Sequence, residues 1–397
     1  LTESSIGQML HYLHLLLDIQ NCKKIYSFSI NCKQITFFYV EKESKSNLYN
    51  YYKSQDLDMF NNYSETSLPV DMIITKEEWK NKYLNEVIWK IFTIFLTMSD
   101  NFYEYATLNI NPRDDLFDCR YMIRKKLGIG LTSMVYLLEK KEDNYLIEDS
   151  PHYVMKILKE NNYSEYFLNE IKITEKLKQF DNSNKFYLFF QDILSPLLSG
   201  KYLVYEKELQ CIDSLALIQS KQFIDITHYL YDCHIIHCDV RPKNLMLDRD
   251  TNHIKLIDFG FAIAYDEDDD RGTVDIMGPV MYANDKFLDF HLELLTGKGF
   301  PYYHYERTFD LACALNIIMS NSNADMKRNI QSINILPDVQ KRKLESLKFW
   351  QNLKQTNKHY SKLLNLIKQL DESDESNQSS SFAVLKDEIE NFSTTEQ

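Results

Sequence analysis

The sequence predicts an α+β protein in which a strand-rich stretch is followed by a largely helical one. Three observations carry that expectation. Residues 121 to 139, YMIRKKLGIGLTSMVYLLE, read as strand, glycine turn, strand. Residues 214 to 234 and 325 to 370 repeat apolar side chains at helical spacing. Between those helical regions, the apolar runs 244–247 and 254–257 are split by DRDTNH, the pattern of a β-hairpin.

In chain order, residues 4 to 20 place Ile6, Met9, Leu10, Leu13, Leu16 and Leu17 on one helical face. Two alternating runs, 24–30 and 34–40, flank Asn31-Cys32-Lys33 and read as another hairpin. This helix, with Gln8 and Tyr12 in a Q-x-x-x-Y pattern, and its hairpin resemble the back half of a restriction-endonuclease-like module, as in Crinkler-type effectors. The acidic residues and lysine of that nuclease site would precede the helix, so no catalytic residue is carried over. Residues 1–66 are expected to be a partial α/β module, a remnant whose polar, Tyr- and Asn-rich stretch 41–66 is a flexible link. Thr75 and Glu78 form a capping box for a helix running to about Met98. Tyr83, Leu84, Val87, Ile88, Ile91, Phe92 and Phe95 give it one buried face, and residues 67–118 read as a helical connector. At the far end DESDESNQSSS opens an acidic, serine-rich tail, 371–397, expected to be disordered.

A chain of 397 residues has room for two domains, and 44% apolar residues supply their cores. The formal net charge of −13 argues against a general affinity for nucleic acid or acidic membranes. Seven cysteines without a CxxC pair point to a reducing compartment and no zinc site. The longest apolar run, 91–98, is too short to cross a bilayer. An intracellular protein of cytoplasm or nucleus is expected, with secretion as an effector the alternative.

The chemistry concentrates in HIIHCDVRPKNLMLDRDTNHIKLIDFG, residues 234 to 260. His237-Cys238-Asp239 is followed by Asn244, and then by Asp258-Phe259-Gly260. Asn244 and Asp258 offer hard oxygen ligands for Mg²⁺, and Asp239 can orient a hydroxyl and take its proton. Upstream, Gly128-x-Gly130-x-x-Ser133-x-Val135 lets backbone N–H groups approach phosphate oxygens. Lys156 lies in the apolar run HYVMKIL, where a buried ammonium needs a partner. The next helix carries Glu165, Glu170 and Glu175, and Glu170 shares its face with Ile173 and Leu177.

Together these motifs resemble the eukaryotic protein-kinase family: a glycine-rich loop, V-x-K, H-x-D-x-x-x-x-N and D-F-G in order. The resemblance implies a bilobal protein-kinase fold, with a β-rich N-lobe and a helical C-lobe, over residues 119–370. It implies ATP and Mg²⁺ as cofactors and transfer of phosphate to Ser/Thr hydroxyls of a protein substrate. By the family's pattern Lys156, paired with Glu170, clamps the α- and β-phosphates. Asp239 holds the hydroxyl, and Asn244 and Asp258 hold metal. Arg241 stands where Ser/Thr kinases have a lysine facing the γ-phosphate, and Pro242 resembles that branch too. Leu127, Gly128, Gly130, Ser133, Val135, Val154 and Met246 would surround the nucleotide. Tyr205 takes the gatekeeper position, and Glu206 to Glu208 would present backbone groups to adenine. Asp310 would hold the catalytic-loop backbone.

The chain also departs from the family. Cys238 replaces the arginine of H-R-D, so this is a non-RD sequence in which loop phosphorylation is not the expected switch. YDEDDDR, 265–271, is strongly acidic, and the GPVMYA segment ends in Asn284-Asp285 rather than Pro-Glu, which resembles the casein-kinase I branch. These departures also suit a pseudokinase serving as a nucleotide-binding or interaction module.

Overall fold

Strands dominate the first part of the chain and helices the second, the α+β order that the residue patterns indicate. The computed structural model describes residues 3–20, 22–31, 33–43, 48–61, 84–103, 108, 110, 121–140, 152–180, 184–194, 201–265, 278–295, 303–372 and 375–395. The chain forms two compact units, residues 1–159 and 160–397.

In the first unit, α1 (Glu3–Gln20) precedes a hairpin of β1 (Lys24–Ile30) and β2 (Gln34–Lys42). The hairpin turn closes on Asn31, whose Oδ1 accepts the N–H groups of Lys33 and Gln34 at 2.8 and 2.6 Å. Leu13 and Leu17 of the helix bury against Ile25, Phe38 and Val40 of the strands. Leu16, expected on that face, is 45% exposed.

Two expectations fail in this unit. The link expected over 41–66 contains β3 (Tyr49–Lys53) and β4 (Leu57–Asp58), both paired antiparallel with β2. Tyrosine is the reason: Tyr52 stacks on Tyr39 at 4.2 Å, and cross-strand aromatic pairs outweigh the polar composition. Of the helix expected from Thr75 to about Met98, Glu86–Thr97 forms α2, capped by Asn85, and Thr75, Glu78 and Tyr83 lie outside the described residues. Nor is α2 a separate connector. Ile88, Trp89 and Phe92 pack on Ile35, Phe37 and Met59, which joins it to the first module. Val87 and Ile91 remain exposed because a small sheet covers only part of the apolar stripe.

A one-turn α3 (Asp100–Tyr103) follows, and then β5 (Tyr121–Ile129), β6 (Ser133–Lys140) and β7 (Tyr153–Leu158) pair antiparallel in sequence order. Helix α1 lies against β5, so the amino-terminal module and these strands share one unit.

The second unit opens with α4 (Ser164–Phe180), α5 (Lys185–Phe189), β8 (Tyr202–Tyr205) and β9 (Gln210–Cys211). Helix α6 (Leu217–Asp232) leads through β10 (Ile235–Ile236) to the hairpin of β11 (Leu245–Asp248) and β12 (His253–Leu256), and β13 (Ile263–Ala264) pairs with β10. Helices α7 (Asp285–Leu295), α8 (Phe309–Ser322), α9 (Ala324–Asn334), α10 (Val339–Thr356) and α11 (Lys358–Glu372) follow. Every residue of α8 from Phe309 to Ser320 is buried, which makes it the axis on which α6, α9 and α11 pack.

The expected disordered tail is corrected by α12 (Glu375–Thr395). Phe382, Leu385, Ile389 and Phe392 are buried in the unit's core, and the helix packs against α6 and α11. Their helical spacing, one apolar stripe in an otherwise polar segment, overrides the composition. Lys386–Asp225 at 2.7 Å and Lys221–Glu390 at 2.6 Å flank the contact. Among the described residues no helix is long and apolar enough to cross a membrane.

Candidate active site

The β11–β12 hairpin sets the geometry. Its register pairs Leu245 with Leu256, so Asn244 and Ile257 lie side by side, closed by Ile257 N–H donating to the Asn244 carbonyl at 3.0 Å. Asp258 follows with left-handed backbone, φ 74° and ψ 69°. An L-residue holds that conformation only where its surroundings fix it.

Asn244 ends a short 3₁₀ turn, Pro242–Asn244, and its Nδ2 donates to the Asp239 carbonyl at 2.9 Å and to Asp239 Oδ2 at 3.0 Å. That use of the nitrogen leaves the amide oxygen as the acceptor. Arg241 completes the group, its guanidinium 3.0 Å from Asp239 Oδ2. Asp239 N–H donates to His237 Nδ1 at 3.2 Å. The imidazole proton therefore sits on Nε2, which faces the Ile257 carbonyl at 3.0 Å.

Asp310, near the start of α8, accepts the backbone N–H groups of His237 and Cys238, the latter at 3.2 Å. The loop needs this anchor, because Cys238 has φ 63°. Burial pushes the Asp310 carboxyl up to about 7, while its two N–H donors pull it back down.

Helix α4 carries the three candidate glutamates, and the structure separates them. Glu170 is buried with Ile173 and Leu177, whereas Glu165 and Glu175 are exposed. Tyr205, at the end of β8, donates its hydroxyl to Glu170 Oε1 at 2.7 Å. Burial, reinforced by the Glu170 carboxylate, pushes that hydroxyl well above the usual tyrosine range, so it remains a donor. Asn169, which the sequence reading missed, donates to the carbonyls of Gly260 at 3.0 Å and Ala262 at 2.8 Å. It fastens α4 to the turn after Asp258. Phe259 packs edge-on against His237 and Phe190.

The other expected site residues fall as follows. In the first unit Lys156 is buried in β7, opposite Val135 of β6, with Val154 buried two residues earlier. Gly128 lies opposite Val135, and Gly130 N–H donates to the Ser133 carbonyl at 2.8 Å. Ser133 is buried and Leu127 exposed. In the second unit Met246 is half-buried on β11, while the side chains of Glu206 and Glu208 are exposed. Lys207 between them, also missed, turns back to Asp248 at 2.8 Å and Asp250 at 2.9 Å.

Comparison with known proteins decides the family. The protein kinase domain family matches residues 121–388, most of the chain. The chain belongs to that family. Serine/threonine-protein kinase AtPK1/AtPK6 of Arabidopsis thaliana is 25% identical over 205 residues, 45% of this chain and 42% of that protein. An Aurora kinase of Saccharomyces cerevisiae is 29% identical over 227 residues, 52% of this chain and 61% of its own. A crystal structure of a kinase domain aligns with 51% of this chain and 63% of its own, at TM-score 0.38 and 17% identity. The chain spans less than two thirds of each of these relatives.

Asn244, its Oδ1 left as an acceptor, and Asp258, which follows β12, carry oxygens of the hard kind. Oxygens of this kind would suit Mg²⁺, a hard cation. The family's departures are also placed. Cys238 is fully buried. Asn284 Oδ1 accepts Phe287 N–H at 2.9 Å at the start of α7, and Asp285 lies 3.7 Å from Lys354 of α10. Trp350 Nε1 donates to the Met281 carbonyl at 2.9 Å, which pins the segment before them. At Gly278 a Cβ would come within 2.4 Å of the Phe287 ring, so only glycine fits that approach. The acidic residues 266–270 lie outside the described residues.

Proposed function

We propose that this chain is a protein kinase that moves the γ-phosphate of ATP to Ser or Thr hydroxyls of protein substrates. The supporting observation is the closed set of contacts around Asp239: Asn244 and Arg241 both address its Oδ2, and Asp258 comes one residue after Ile257, whose N–H bonds the Asn244 carbonyl. In this reading Asp239 aligns the acceptor hydroxyl and takes its proton as the oxygen bonds to the γ-phosphorus and ADP departs. Arg241 neutralises charge on the phosphoryl oxygens. Asn244 and Asp258 would hold Mg²⁺, which supplies charge neutralisation on the phosphates when bound. The family pattern assigns phosphate clamping to Lys156 with Glu170. It assigns nucleotide contact to Leu127, Gly128, Gly130, Ser133, Val135, Val154, Glu206, Glu208 and Met246. The named Ser/Thr kinase among the relatives and Pro242 favour the Ser/Thr class.

A second reading, a nucleotide-binding module without turnover, draws on the Tyr205 hydroxyl that already occupies one oxygen of Glu170. Labelled-ATP transfer to Ser/Thr and Tyr peptides separates the two. Wild type is expected to label Ser/Thr peptides, with Asp239→Asn and Lys156→Ala at least about a hundredfold slower. Equal labelling by all three proteins ends the kinase reading, and ATP binding without any transfer selects the second.

A further inference from the structure

Beside the loop that carries Asp239, the second unit holds a cavity of about 390 Å³. Pro242 and Lys243 of the loop, Leu215 before α6, Ile317 of α8, and Lys327 and Gln331 of α9 are among its walls. We infer that this cavity selects substrates by receiving an anionic side chain near the phosphorylated hydroxyl, an inference that rests on the kinase reading above.

Charge is the first reason. Lys243 is exposed and makes no ion pair or hydrogen bond among the described residues. Lys327 Nζ donates to the carbonyl oxygen of Asp213 at 2.6 Å, an acceptor that leaves its positive charge unneutralised. The exposed Asp213 carboxylate is the lone acid in the wall among the described residues. In a chain of net charge −13, two ammonium groups against one carboxylate leave the described wall net positive. Leu215 and Ile317 supply apolar wall, which thins the water around an ion pair and strengthens it. The Gln331 carboxamide, also without a partner among the described residues, adds a neutral donor.

Position is the second reason. Lys243 stands four residues after Asp239, within one short loop closed on itself by Asn244. An extended peptide advances roughly 3.3–3.6 Å per residue, so a hydroxyl held at Asp239 brings nearby side chains of the same peptide to the cavity. The occupant is a carboxylate of Asp or Glu or the phosphate of an already phosphorylated residue. Both place anionic oxygens on ammonium donors.

A peptide series tests this with the full chain and Mg·ATP. Each peptide has one Ser acceptor, and Ala, Asp, phosphoserine or Arg is placed in turn at each of the four positions on either side. An anionic residue at one position is expected to raise kcat/KM at least about tenfold over Ala, with Arg lowering it. A phosphoserine peptide well above its Asp counterpart marks a phosphorylated substrate, and equal rates mark a carboxylate. The double variant Lys243→Glu, Lys327→Glu is expected to invert the preference and turn over the Arg peptide. That gain of activity shows it to be folded. Wild-type turnover with no positional preference, or with a preference for Arg, overturns the inference while the kinase reading stands. Failure of wild type to label any peptide or general protein substrate overturns both.

Discussion

Asp310 ties a buried carboxyl to the two backbone N–H groups that shape the His237–Asp239 turn. Its carboxyl is raised from 3.8 to about 7, with burial the largest cause. A raised acid binds its proton more tightly in the folded state, so stability falls as pH rises from about 4 towards about 7 and is level above. Compared with Asp310→Asn, wild type should lose a few kcal/mol of its relative stability across that window. Urea unfolding of both proteins from pH 4 to 8 measures it, and a pH-independent difference would disprove the assignment. Lys156, Glu170, Asp239, Asn244 and Asp258 were legible in the sequence as candidates, because they stand in the family's motifs at its spacing. Asn169 and the Tyr205–Glu170 bond were not, because they depend on rotamers meeting across long stretches of chain.

Among the elements, α12 departs furthest from its expectation. Composition marked the segment as disordered, yet four apolar residues at helical spacing bury it against α6 and α11. Leu385→Ala is expected to cost about 2–5 kcal/mol by leaving a cavity. Val384→Ala, at a 43% exposed position on the same helix, should change stability by no more than about 0.5 kcal/mol. Equal, small effects in urea melts would show that the helix is not part of the core. β3 teaches the converse lesson, since its tyrosines looked like linker until a neighbouring strand gave their rings partners. The hairpin β11–β12 needed no such partner to be read: its apolar runs and turn residues lie within a single short segment.

At the scale of the molecule, the amino-terminal module and the strands of the glycine-rich loop fall in one compact unit, with α1 against β5. Removing residues 1–103 should therefore lower amide-exchange protection in β5–β7 by at least about tenfold while leaving α8 unchanged. Hydrogen exchange on full-length and shortened chains tests this. Unchanged protection in those strands would make the module an independent appendage.

The sequence by itself pointed to the family, the order of the main strands and helices, and the candidate groups for the reaction. Each of these is written in local periodicity or in residue types at short spacing. Only the tertiary structure decided that Tyr205 bonds Glu170, that Asn169 fastens the turn after Asp258, and that two lysines share a cavity beside the Asp239 loop. Burial and side-chain pairing arise between segments far apart in the chain, so no local pattern records them.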